Sequence, residues 1–176
     1  ATEQPQAFSE LIELITQTDM ARLQLAAQHP GIDLIVERGW YSSTNYWSPA
    51  LFDQFLFKHI RSLADLSHSL GKLFCYTVTT GVEVLGPRLA EAGVDVLYFV
   101  DPLLDGISME KARDLLGSRM CLVGGTNALT LATKDRKVIE EEVNRAMNAF
   151  ASTGGFVLHS IDALSPDTPW EGVEML

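Results

Sequence analysis

The chain has 176 residues, with 13 basic and 23 acidic side chains and a formal net charge of −10. That acidity, with no basic stripe to offset it, excludes a general binder of nucleic-acid phosphates or of anionic membrane surfaces. An apolar share of 47% beside 20% charged residues describes a globular chain able to bury a core without staples, and two cysteines exclude a disulfide framework or a zinc ribbon.

The first helical pattern is Phe8–Gln28, where Leu11, Ile12, Leu14, Ile15, Leu23 and Leu25 recur at helix-compatible spacing, after a frayed start over residues 1–6. Asp33–Val36 reads as a buried strand. Ser48–Leu70 reads as a helix with Ser48 as cap, Pro49 at its first position and Gly71 as its stop. Leu73–Val78 is the second strand, Val84–Ala92 a short helix, and Val96–Val100 the third strand. Ser108–Leu116, capped by Ser108 and stopped by Gly117, precedes the fourth strand, Met120–Val123. Lys134–Ser152 is a long helix with early glutamates, Phe156–His159 the fifth strand, and Thr168-Pro169-Trp170-Glu171 a capping box that opens a last helix. No apolar core follows a charged opening segment, and apolar runs such as Val94–Val100 are short and interrupted. Neither a signal peptide nor a membrane span is therefore expected, and the expected location is the cytoplasm.

Helices and strands alternate throughout, and the strands are apolar runs without clean alternation. That pattern implies an α/β fold with parallel strands and right-handed crossovers. Two architectures fit, an open doubly wound sheet and a (β/α)8 barrel. The absence of G-x-G-x-x-G after any strand weakens the dinucleotide-binding form of the first.

In either architecture the chemistry lies at the C-terminal ends of the strands. Those ends carry Glu37, Arg38, Trp40, Tyr41 and Tyr46, then Tyr76 and Thr77, then Asp101 and Asp105, then Gly124-Gly125-Thr126-Asn127, then His159, Ser160 and Asp162. Asp101 ends an apolar strand, where a carboxylate serves as acid or base or caps its own loop. His159 and Asp162 are candidates for proton transfer or metal binding. The aromatic loop from Trp40 to Trp47 is either a wall over a flat ligand or a cluster packed on itself. Asn127 either contacts a ligand brought close by the two glycines or closes the turn. Cys75 and Cys121 read as small buried hydrophobes, and His29, His59 and His68 as surface or packing residues.

At these residues a family resemblance emerges. Trp47-Ser48-Pro49-Ala50-Leu51-Phe52, His68-Ser69-Leu70-Gly71-Lys72, Gly93-Val94-Asp95 with Asp101, Gly124-Gly125-Thr126-Asn127, Gly154-Gly155-Phe156-Val157-Leu158 and Ser165–Gly172 together resemble the C-terminal half of the uroporphyrinogen decarboxylase superfamily. That superfamily includes the decarboxylases of haem biosynthesis and zinc-dependent, corrinoid-linked methyltransferases. The resemblance implies five C-terminal β/α units of a TIM (β/α)8 barrel, with residues 1–176 forming one partial domain. It places Tyr76, Val78 and Asp162 where the methyltransferase branch carries its His-x-Cys and final Cys zinc ligands. Tyrosine and valine cannot replace them, so zinc is not expected at that site, and Asp162 alone remains a candidate metal ligand. His159 is the candidate for the histidine after the last strand of the decarboxylases.

The resemblance implies a divergent, corrinoid-linked methyltransferase relative. A decarboxylase proper and an inert binding or assembly domain are the alternatives. The expected roles are catalytic for Asp101, Tyr76, His159 and Asp162, and substrate-binding for Arg38, Trp40, Tyr41 and Asn127. The expected partner is a small molecule or a corrinoid protein. Five units cannot close an eight-stranded barrel, so a truncated piece, inactive by itself, or a pairing of half-barrels between two copies is expected.

Overall fold

A computed structural model describes residues 1–150, 154–161 and 164–176. Five strands form one sheet in the order β1-β2-β3-β4-β5, namely β1 (Leu34–Arg38), β2 (Leu73–Thr77), β3 (Val96–Val100), β4 (Cys121–Asn127) and β5 (Phe156–Ile161). Every neighbouring pair is parallel. Strand order therefore follows chain order with no reversal. A doubly wound sheet reverses its order at a switch point, so this is the winding of a barrel segment.

The helices are α1 (Pro5–Ala27), α2 (Pro49–Leu51), continued through a π turn at Phe52–Leu56 into α3 (Phe57–Ser69), α4 (Val82–Glu91), α5 (Pro102–Asp105), α6 (Met109–Leu116), α7 (Ala128–Ala132), α8 (Arg136–Phe150) and α9 (Trp170–Val173). Ser48 and Ser108 cap as expected, accepting from the Leu51 and Lys111 amides. Helix α1 starts at Pro5, inside the stretch read as frayed, and α4 starts at Val82, two residues before its reading; two later starts differ for local reasons. Lys134 has φ +58, so α8 begins only after Asp135, whose carboxylate accepts from the Lys137 amide. Thr168 does not cap the last helix, because Pro169 occupies the cap position without a side-chain bond.

The core lies between the helices and one face of the sheet. Phe74, Tyr76, Leu97 and Leu122 from the strands meet Ile60, Leu63, Leu89, Leu116 and Ala146 from α3, α4, α6 and α8. The other face is concave, and its alternate residues include Leu34, Val36, Cys75, Val96, Cys121, Val123 and Val157. Val36 is 51% exposed and Val157 49% exposed, so these described residues leave an apolar barrel lining open. No helix of the described residues is long and apolar enough to cross a membrane.

One irregularity sets the site. The β3–β4 register slips between Tyr98 and Val100, and Phe99 adopts φ +87, which bulky side chains rarely occupy. Tyr98 lines the concave face while Val100 joins the helix-side core. The extra residue thus reverses the alternation just before Asp101. Opposite it, Gly124 has φ +151, and a Cβ there would sit 2.2 Å from the Val100 carbonyl oxygen. Two backbones meet at this glycine, where the sequence reading allowed for a ligand.

Candidate functional site

The concave face forms a groove of about 620 Å³ whose C-terminal end carries Arg38, Trp40, Thr77 and Tyr98. Trp40 stands edge-on to Phe99 with ring centroids 5.2 Å apart, and its carbonyl accepts from the Thr79 hydroxyl at 3.1 Å. The Phe99 bulge therefore supplies the surface against which Trp40 is held. Arg38 is exposed and makes no ion pair among the described residues. Its guanidinium is free to bind an anion.

His159 lies on the edge strand beside Tyr98. The rings are 5.2 Å apart, and the Tyr98 hydroxyl is nearly equidistant from the two ring nitrogens, 3.3 Å from Nδ1 and 3.4 Å from Nε2. β5 is held to β4 here by the Thr126 hydroxyl, which donates to the His159 carbonyl at 3.0 Å. A phenol beside an imidazole near the mouth of the groove is a candidate pair for proton transfer. Asp162 lies outside the described residues.

Asp101 and Asn127 do not line the groove. Asp101 is 1% exposed, and one carboxylate oxygen accepts from the Leu103 and Leu104 amides, capping α5. The other accepts from the Asn127 side-chain amide. Asn127 in turn caps α7, its Oδ1 accepting from the Leu129 amide at 2.8 Å. The pair locks the ends of β3 and β4 together. Behind it, burial holds Glu142 above the usual carboxylate range, with hydrogen bonds from Thr130 and the Asn127 amide opposing the shift and the Asp101 charge adding to it.

Tyr76 faces the helices. It is 3% exposed, its hydroxyl is 2.8 Å from that of Ser42, and burial pushes the phenol far up. It anchors the loop that carries Trp40 and stays off the concave face. Tyr41 is 73% exposed and packs edge-on against Tyr46, while its carbonyl accepts from the Trp47 indole at 2.9 Å. Much of the aromatic loop therefore packs on itself, and Trp40 is the aromatic that it delivers to the groove. A smaller cavity of about 220 Å³ lies beyond it, between Tyr41, Tyr46, Thr80 and Leu104.

The family model for uroporphyrinogen decarboxylase (URO-D) matches residues 1–176. The chain belongs to the URO-D family. It is 26% identical over 174 residues to the uroporphyrinogen decarboxylase of Syntrophotalea carbinolica, covering 98% of this chain and 48% of that relative. It is 26% identical over 176 residues to that of Trichlorobacter lovleyi, with the same coverage. A methyltransferase from Methanosarcina mazei shares the fold with a TM-score of 0.75 at 20% identity, over 95% of this chain and 47% of that one. The chain thus spans about half the length of the relatives it matches.

Within the URO-D family the resemblance to the methyltransferase branch brings a zinc centre into question. Tyr76 and Val78, the positions read as its His-x-Cys pair, are both buried in the helix-side core and offer no nitrogen or sulfur ligand. The residues there do not fit the metal. Cys75 does line the groove, but burial, with Cys121 as a lesser cause, pushes its thiol up to about 12, so it is protonated at neutral pH. Sequence reasoning missed Tyr98, because a tyrosine inside an apolar strand reads as core. Alternation along β3 gives the signal, since Val96 and Tyr98 share a face opposite Leu97.

Proposed function

We propose that the intact protein is a URO-D-family enzyme whose small-molecule site lies at the mouth of the groove, related to the corrinoid-linked methyltransferases but without a thiol-activating zinc centre. The observation that supports this reading is an aromatic wall with a single cation on this half of the concave face. Arg38 is the one charged group among the described lining residues. A decarboxylase acting on a porphyrinogen must hold several carboxylates at once and needs a cradle of cations. An aromatic wall with one cation suits a flat, largely apolar partner and a singly anionic acceptor.

In this reading Trp40, braced by Phe99, is the wall, and Arg38 orients the anionic group. The Tyr98–His159 pair holds or moves the proton. Asp101 and Asn127 are positioning residues that fix the ends of the strands, and Tyr76 positions the Trp40 loop through Ser42. The remaining β/α units of the barrel cover the concave face.

The names of the two relatives favour a second reading, decarboxylation of a porphyrinogen. The two are separated in the full-length protein by titrating tryptophan fluorescence with methylcobalamin and by measuring carbon dioxide release from uroporphyrinogen. Saturable cobalamin quenching without carbon dioxide release supports methyl transfer. Carbon dioxide release replaces it with the decarboxylase reading. A protein that does neither is the inert binding domain, and the enzymatic reading then fails.

A further inference from the structure

On the helix side of β1, away from the groove, Asp19 of α1, Glu37 of β1 and His59 of α3 converge. One carboxylate oxygen from each acid and one ring nitrogen lie within 4.8 Å of one another, and all three side chains are half-buried. The sequence alone reads His59 as a surface or packing residue and Glu37 as part of the strand-end loop. The structure instead turns Glu37 towards the helices, opposite Arg38.

Thr16 is the hydrogen-bonding neighbour of His59 on this side. The Thr16 hydroxyl donates its one proton to the Ile12 carbonyl at 2.7 Å. Thr16 Oγ1 also lies 2.7 Å from His59 Nδ1, and with its proton on the Ile12 carbonyl it accepts from the Nδ1–H tautomer of His59. In that tautomer Nε2 keeps a free lone pair. An imidazole whose other nitrogen donates to an outer partner is the usual arrangement of a metal-ligating histidine. A solvent cavity of about 250 Å³, lined by Thr16, Met20, Lys58, His59 and Ser62, reaches the imidazole, while Asp19 and Glu37 lie outside its lining.

The charge is also unbalanced. Two carboxylates at this separation repel when both ionise. Arg22 reaches Asp19 at 3.4 Å, but its side chain is 77% exposed, so water screens the pair. Glu37 makes no ion pair among the described residues, and burial and the Asp19 charge raise its pKa against a smaller opposing pull from Arg22. One imidazole and two carboxylates form a mixed nitrogen–oxygen set suited to a borderline divalent ion.

We propose that Asp19, Glu37 and His59 form a zinc-class metal site that clamps α1 to β1 and α3. Its three ligands come from elements separated in sequence, so the bound ion stabilises the folded state. Thr16 is a positioning residue that presents Nε2. The site is independent of the reaction at the groove.

The test is calorimetric titration of the full chain with zinc chloride, paralleled by the visible spectrum with cobalt(II). The expected result is one equivalent bound and a Tm that rises with zinc concentration. His59→Gln and Asp19→Asn each weaken binding by about tenfold or more, and Thr16→Val by a smaller factor with a shifted cobalt spectrum. Arg22→Ala, a surface change, tightens binding by removing a competitor for Asp19. His68→Ala leaves binding unchanged, because His68 pairs with Asp95 elsewhere. No binding at millimolar zinc overturns the proposal, as does binding that His59→Gln and Arg22→Ala both leave unaltered.

Discussion

The Asp101 carboxylate accepts a hydrogen bond from the Asn127 carboxamide across the ends of β3 and β4. Each residue also caps the short helix that follows its own strand. One buried pair therefore fixes two strand ends and two helix starts. Asp101→Asn sets two amide groups against each other and is expected to cost about 1–3 kcal/mol in chemical denaturation. The double exchange Asp101→Asn with Asn127→Asp restores the donor–acceptor match and recovers part of that loss. A double variant no better than the sum of the singles contradicts the pairing.

Gly124 is a packing requirement. Its φ of +151 and the Val100 oxygen 2.2 Å from a built Cβ leave no room for a side chain. Gly124→Ala is expected to lose roughly 2–4 kcal/mol. It also releases the Phe99 bulge, so the tryptophan emission of Trp40 shifts to the red. An alanine variant with unchanged stability and emission refutes the close approach.

Glu142 provides a pH signature. Burial raises its pKa above the ordinary 4.5. A group with a raised folded pKa contributes stability that is fully present below 4.5 and is lost as pH rises through the folded value. Glu142→Gln cannot ionise and escapes that loss. The Tm of Glu142→Gln minus that of the wild type should therefore increase from pH 4 to pH 7. A difference that stays flat or falls contradicts the burial of an ionising carboxylate.

Much of this architecture is legible in the sequence, for identifiable reasons. The five strands are short apolar runs closed by Gly, Asp or Pro, and Ser48 and Ser108 announce their helices. The ends of the strands were hidden. β1 continues through Glu37 and Arg38 because their side chains divide between the helix side and the groove, whereas a charged pair reads as a loop. β4 runs on through Gly124-Gly125 because two positive-φ glycines accommodate the bulge in β3. Nothing in Tyr98-Phe99-Val100 marks that bulge, since glycine is the residue expected at positive φ. Helices α5 and α7 are single capped turns, too short to show a helical period. At the site, Arg38, Trp40 and His159 reach the groove or its edge as strand-end residues should. Tyr76 does not, because the side chain that its strand turns to the groove there is Thr77.

The open concave face predicts association. Val36 and Val157 project from the two edge strands with about half their surface exposed, and unpaired strand edges invite pairing. The 176-residue chain by itself is expected to sediment as a dimer. Val36→Lys and Val157→Lys should shift it to a monomer without loss of helical circular dichroism. A monomer at all concentrations rules out the pairing of half-barrels.

In the function we propose, the ligand of the full-length protein binds at the groove mouth, between Trp40, Arg38 and His159. The most direct measurement is the Kd for methylcobalamin of the full-length protein, compared between wild type and the Trp40→Ala, Arg38→Met and His159→Gln variants at matched Tm. Saturable binding that each change weakens is the expected result, Trp40→Ala by about tenfold or more through loss of a stacking anchor. Binding that none of the three changes alters contradicts it.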